Sequence, residues 1–237
     1  IAYHCSKYVR GYKLLIDLWG ADHHGYINRL KAACLALNYP KESLVILLYQ
    51  LVSLSRGNQP VSMSTRQGEF VTLTEVIQEV GKDAARFFFC MRKSDAHLDF
   101  DLELAKSQSQ ENPVYYVQYA HARICSILRK AREAGIEIKS YEKINMSVLN
   151  LSEELMLLSK MSTLQDEVSG CARSFEPHRL TIYLMEIVSI FHNYYNHHRI
   201  ISSESDITDA RLFLVNGLRI VLKNTLSLLG ISAPEVM

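Results

Sequence analysis

The sequence predicts an α/β front followed by an all-α back, and three observations carry that prediction. Short apolar runs bounded by glycine and proline alternate with helical patterns as far as about residue 105. From Asn112 onward the apolar residues recur at helical spacing only. Pro113 stands where a first helical turn tolerates it, and Gly135 and Gly230 stand where helices end. With 237 residues, 48% of them apolar and 22% charged, the chain has material for one large folded domain or two ordinary ones.

Each element follows from local chemistry. IAYHCSKYVRG at 1–11 reads as a helix closed by Gly11, and the run from Leu14 to Trp19 as a buried strand ending at Gly20. A polar turn from Gly20 to Tyr26 leads into a helix over Ile27 to Leu37, stopped by Asn38-Tyr39-Pro40. Leu44 to Ser55 is rich in Leu and Val, and the turn Arg56 to Pro60 with Val61 beyond makes it one arm of a hairpin. Thr72-Leu73-Thr74-Glu75 is a capping box, opening a helix that stops at Gly81. A further helix spans Asp83 to Met91, and the shape of Ser94 to Leu104 stays open.

Asn112 as cap and Pro113 as first residue start a long helix to about Ala134. Helices follow near 149–160 and 162–174, from Pro177 to about Ile201, and from Thr208 to Leu229. Ile182, Leu184, Met185, Ile187, Val188 and Phe191 form one wide apolar stripe. A second stripe runs along Leu212, Leu214, Val215, Leu218, Val221 and Leu222, as a bundle core requires. The boundary between front and back falls between residues 105 and 112, placing domains at 1–108 and 109–237.

Bulk properties narrow the function. A net charge of +1 argues against a uniformly basic nucleic-acid binder but leaves a local basic patch open. Five scattered cysteines without a C-x-x-C pair suit a reducing cytosol and give no zinc framework. No apolar run reaches bilayer length, and no signal-peptide pattern is seen, so a cytoplasmic protein is expected. The chain starts at Ile1 in mid-element, and a piece of something longer is expected.

Four stretches carry candidate chemistry. Met63, Ser64, Thr65 and Arg66, with Gly68 behind them, offer small side chains, a close backbone approach and one permanent cation for phosphate. An ordinary surface loop fits the same residues. Asp22, His23 and His24 stand at a strand-to-helix turn, where a carboxylate can take ribose hydroxyls or can simply cap the next helix. Adjacent histidines converge poorly on one ion, so no protein-bound metal is expected there. The helix from Pro113 interleaves Tyr115, Tyr116, Gln118, Tyr119, His121, Arg123, Arg129, Lys130 and Arg132. That mixture suits unstacked RNA bases and phosphates, or else core packing beside a solvated face. A second aromatic and polar cluster runs from Phe191 to Arg199, with the same two readings.

Together these segments resemble the carboxy-terminal part of bacterial class I arginyl-tRNA synthetases. The likeness rests on six ordered blocks: GADHHGYINRLKAA at 20–33, VSMSTRQGEFVTL at 61–73, VGKDAARFFFCMRKSDAHLDFDLELA at 80–105, ENPVYYVQYAHARICSILRKA at 111–131, DARL at 209–212 and APEVM at 233–237. It implies a partial Rossmann-like nucleotide-binding domain followed by a DALR-type helical-bundle anticodon-binding domain. It further implies ligation of arginine to its tRNA through an arginyl-adenylate, with ATP and Mg2+ as the substrate complex. Gly20, Asp22, His23, His24 and Tyr26 would hold ATP and arginine, and Met63 to Arg66 would match the KMSKS-type loop over the phosphates. That loop has Ser62 and Thr65 in place of its lysines. Tyr116, Tyr119, Arg123, Arg129, Tyr195, His198 and Met237 would meet the tRNA. The full-length protein would be a monomer without membrane contact. The HIGH signature and the acidic residue that precedes position 1 in the family lie outside these 237 residues, so no adenylate synthesis is expected of the chain alone. The competing expectation is a non-catalytic RNA-binding helical module.

Overall fold

Strand β1 (Leu15–Gly20) runs parallel to β2 (Leu44–Tyr49), from Leu15 opposite Leu44 to Gly20 opposite Tyr49. The computed structural model in which they lie describes residues 1–57, 59–61 and 71–237. Parallel strands need a crossover. Here it is a 3-10 segment (Ala21–Tyr26) followed by helix α2 (Ile27–Ala36). Helix α1 (Ala2–Val9) precedes β1, and Gly11 beyond it takes φ +92°. A small core of Leu15, Cys34 and Leu44 gathers Tyr8, Leu30 and Ile46 around it. Tyr8 stacks on Tyr39 at 3.8 Å between ring centroids, and its hydroxyl lies 2.7 Å from Ser43 Oγ.

The expected buried strand is buried on one face only. The pleat turns Leu15 and Asp17 inward, while Ile16 is 44% and Leu18 63% exposed. Nor is Leu44 to Ser55 one element. It breaks at Gln50-Leu51 into β2 and β3 (Val52–Arg56), which belong to different sheets. β3 does form the expected hairpin, pairing antiparallel with β4 (Gln59–Pro60) as Arg56 opposite Gln59. The sheet is ordered β4–β3–β5, where β5 is Leu98–Asp101. The alternation at 98–104 therefore resolves into a strand and then α5 (Leu102–Lys106). Asp101 makes the switch by accepting bonds from the Glu103 and Leu104 amides at 2.9 and 3.3 Å.

The chain divides into two compact units, residues 1–54 with 92–100 and residues 55–91 with 101–237. In the second, α3 (Leu73–Val80) opens on the expected capping box. Thr72 Oγ1 accepts from Glu75 N, and Glu75 takes the Thr72 amide. Then come α4 (Lys82–Cys90), α6 (Pro113–Glu133, capped by Asn112), α7 (Ser152–Ser162) and α8 (Leu164–Ser174). Helices α9 (His178–His197) and α10 (Ser205–Leu228) complete the bundle. α9 packs on α6, α7, α8 and α10, and its Leu184, Ile187, Val188 and Phe191 are wholly buried. Burial stabilises by about 1.5–3 kcal/mol for each such side chain, against helix-propensity differences below about 1 kcal/mol. Tertiary packing therefore fixes this helix. It ends at His197, four residues short of Ile201, because His198 turns extended at φ −129°, ψ 135°.

Candidate functional sites

The first site grows from the carboxyl end of β1, where parallel α/β sheets bind ligands. The chain leaves the strand at Gly20 and turns through Ala21–Tyr26. A cavity of about 780 Å³ opens there, lined by Gly20, His23 and Tyr26 together with His4, Trp19 and Arg29. Its size lies in the range of small-molecule pockets. Arg29 holds its guanidinium 5.4 Å from the Tyr26 ring centroid. Asp22 and His24 do not line the cavity. Asp22 is turned back, with Oδ2 3.6 Å from His23 Nε2 and Oδ1 2.5 Å from where a Cβ on Gly20 would stand. His24 Nδ1 lies 3.1 Å from the Ala21 carbonyl. Met63, Ser64, Thr65 and Arg66 lie outside the described residues.

Sequence reasoning passed over His4, Trp19 and Arg29. His4 has a partner that only the fold supplies: Nε2 lies 2.5 Å from Asp17 Oδ2, a buried carboxylate that also takes Lys7 Nζ at 3.4 Å. Thirteen positions apart, on a helix and a strand, the pair leaves no spacing signal.

The second site lies on one stripe of α6 facing the end of α9. Tyr119, Arg123, Arg129, Tyr195 and Met237 line one cavity of about 280 Å³. Arg123 is the centre. Its guanidinium carbon is 4.7 Å from the ring centroids of both Tyr119 and Tyr195, and it donates a hydrogen bond to the Tyr119 hydroxyl. Cation–π contact with two rings holds a planar charge among the aromatic side chains of the cavity wall. The rings continue as a ladder, Tyr119 to His192 at 6.0 Å and Tyr116 to His192 at 4.5 Å. Tyr116 is thus off the cavity, packed on His192. His198 lines a neighbouring cavity of about 280 Å³, which shares Ile127, Lys130 and Tyr195 with the first.

Parts of the two aromatic clusters are structural. Phe191 and Tyr194 are wholly buried, and His121 has no exposed surface. His121 Nδ1 donates to the Pro234 carbonyl at 2.8 Å, which fixes the proton on that nitrogen. Burial pushes the imidazole below its ordinary range, outweighing the bond to Pro234, and the same cause acts on His192. Gln118 donates to Ser232 O at 3.0 Å and to Asp83 Oδ2 at 2.9 Å, and Arg86 Nε to Leu229 O at 2.8 Å. Helices α4 and α6 thereby pin residues 229–234, which deliver Glu235, Val236 and Met237 to the cavity wall.

The Asp209-Ala210-Arg211-Leu212 segment lies inside. Ala210 and Leu212 are fully buried, and Asp209 takes Lys139 Nζ at 2.5 Å. Arg211 Nε and Tyr194 OH both donate to Oε1 of Glu154 at 2.8 Å, and the Leu151 amide donates to its Oε2 at 3.1 Å. Glu154 has no exposed surface. Burial first, then the Glu154 carboxylate, push Tyr194 far above the usual phenol range, so it remains a donor. Arg211 Nη1 also reaches the Arg199 carbonyl at 2.7 Å, tying the cavity rim at 198–201 to the core.

The DALR anticodon binding domain family matches residues 117–237. An arginine–tRNA ligase of Syntrophotalea carbinolica is 55% identical over 237 residues, covering 100% of this chain and 43% of that protein. One from Citrifermentans bemidjiense is 56% identical over 238 residues, with the same coverage. The chain therefore spans less than half the length of these curated relatives. Among solved structures, a Campylobacter jejuni protein assigned as an arginyl-tRNA synthetase superposes with a TM-score of 0.88 at 34% identity, over 99% of this chain and 50% of that one. The Thermus thermophilus arginyl-tRNA synthetase gives 0.75 at 26%, over 95% and 41%.

Proposed function

Because the chain belongs to the DALR anticodon binding domain family, we propose that it serves an arginine–tRNA ligase as the part that grips the tRNA and completes the ATP and arginine site. The observation that carries this reading is Arg123 in contact with both Tyr119 and Tyr195 in a cavity that Met237 also lines. A base splayed from an RNA loop stacks on such rings, and Arg123 and Arg129 take its phosphates. His198 meets the same strand from the adjoining cavity, and Tyr116 supports it through His192. We place the functional boundary near residue 108.

At the front, Gly20, His23 and Tyr26 hold adenosine and arginine against β1, with Asp22 and His24 on the rim. Asp22 swings from Gly20 to accept ribose hydroxyls. ATP arrives as its Mg2+ complex. The Met63-Ser64-Thr65-Arg66 segment covers the phosphates, and Arg66 stabilises the charge that develops as pyrophosphate leaves. This is positioning and charge stabilisation with little proton chemistry. No helix among the described residues is long and apolar enough to cross a membrane, and we place the protein in the cytoplasm as a monomer.

The test is discrimination. Fluorescence anisotropy at one fixed salt concentration is expected to show the 237-residue chain binding the tRNA for arginine more tightly than an unrelated tRNA. Equal affinity for both would remove the anticodon-reading role.

A further inference from the structure

Beside the aromatic cavity lies a second one of about 310 Å³, lined by Arg129 and Arg132 of α6, Arg219 of α10, and Glu235, with Cys125 and Ile138 among its apolar walls. Arg129 and Arg132 are one helical turn apart and so share a face. Arg219 reaches in from the other helix, its Nε bonded to Asn216 Oδ1 at 3.1 Å. Among the described residues, no carboxylate lies within ion-pair distance of any of the three. Two other arginines of the bundle do pair with carboxylates, Arg179 with Glu167 and Arg211 with Glu154. Three unpaired guanidinium groups meeting one carboxylate at a concave surface repel one another, and a bound anion relieves that repulsion. Lys223 adds a further positive charge, felt at both Cys125 and His121.

The two cavities share Arg129 and Glu235 as a common wall. A nucleotide has this format, a flat base beside an anionic phosphate. We propose that the Arg129–Arg132–Arg219 cavity is a phosphate site that receives the RNA backbone next to the base held by Tyr119 and Tyr195. The assignment rests on the RNA-binding reading above and adds the place where the strand is anchored. Bidentate guanidinium forks suit phosphate oxygens, and such bonds set affinity and register without choosing bases.

The experiment compares the wild-type chain with R132Q, R132Q/R219Q and R219K, titrating the tRNA for arginine at several salt concentrations and, separately, inorganic phosphate. R132Q and R132Q/R219Q are expected to bind the tRNA about tenfold more weakly or worse, with the salt slope shallower by about one for each phosphate no longer neutralised. R219K, which keeps the charge, is expected to retain the slope. Arg132 is exposed, so R132Q leaves the bundle folded and carries the test by itself. Wild-type tRNA binding with unchanged affinity and slope in R132Q/R219Q overturns the phosphate site and leaves the RNA reading standing. Phosphate binding that R132Q abolishes, without tRNA binding by the wild type, overturns the placement of RNA here. Binding of neither ligand overturns both.

Discussion

Arg211 places its Nε 2.8 Å from Oε1 of Glu154, a carboxylate with no exposed surface. A buried ion pair contributes little over an apolar replacement, but breaking it from one side leaves a bare charge in the core. R211M is therefore expected to destabilise the chain by about 3–5 kcal/mol in urea unfolding. E154Q/R211M removes the stranded charge while Tyr194 keeps an acceptor, and is expected to recover much of that stability. A single-variant cost below about 1 kcal/mol would show that the pair does not hold the fold.

His121 and His192 give the chain an acid-sensitive stability. Burial lowers both imidazoles in the folded state below their ordinary value of 6.5, so the unfolded chain binds more protons just below that pH. The contribution is complete above about 6.5 and is lost as pH falls through the depressed folded values. Urea midpoints should drop between about pH 7.5 and about pH 5.5, and H121Q and H192Q should each flatten the decline. A midpoint that rises on acidification would contradict the sign.

Gly230 sits at φ +69°, and a Cβ there would stand 2.8 Å from Arg86 Nε. G230A is expected to cost about 1–3 kcal/mol from backbone strain and to release the segment that follows. Limited proteolysis should cut near residues 231–236 sooner than in the wild type. An unchanged cleavage pattern with an unchanged midpoint would mean that Arg86 yields without consequence.

Removing a stacking ring should weaken RNA binding without unfolding. Y119A and Y195A are each expected to lower tRNA affinity by roughly 1–3 kcal/mol, about five- to 150-fold. Filter binding measures the change, and circular dichroism checks the fold. Y116A should have a smaller effect, since Tyr116 stands off the cavity against His192.

Local signals proved readable where local chemistry decides the outcome. The Thr72–Glu75 box, the Asn112-Pro113 start and the stops at Gly81, Gly135 and Gly230 are all in place, because each depends on neighbours within a few residues. The two stripes on α9 and α10 were legible for the same reason, Ile182 excepted, which faces out at 48% exposure. What failed depended on distance. Nothing in Leu44–Ser55 says that its halves join different sheets, and nothing in α10 says that Arg219 meets Arg129 and Arg132 across the bundle. For Gln118 and His121 the sequence left RNA contact and packing both open, because the Ser232 and Pro234 carbonyls they bond lie more than a hundred residues away.

The Asp209–Leu212 tetrapeptide is the part of this bundle most easily spotted in a sequence, yet its residues point at Lys139, Glu154 and packed carbon. It works as a keystone. Asp209 and Arg211 spend their charge on partners within the bundle, and the cavity at Tyr119 and Tyr195 is built by other residues. A sequence match on it reports how this bundle stands up, and says nothing of what the cavity at Tyr119 and Tyr195 takes.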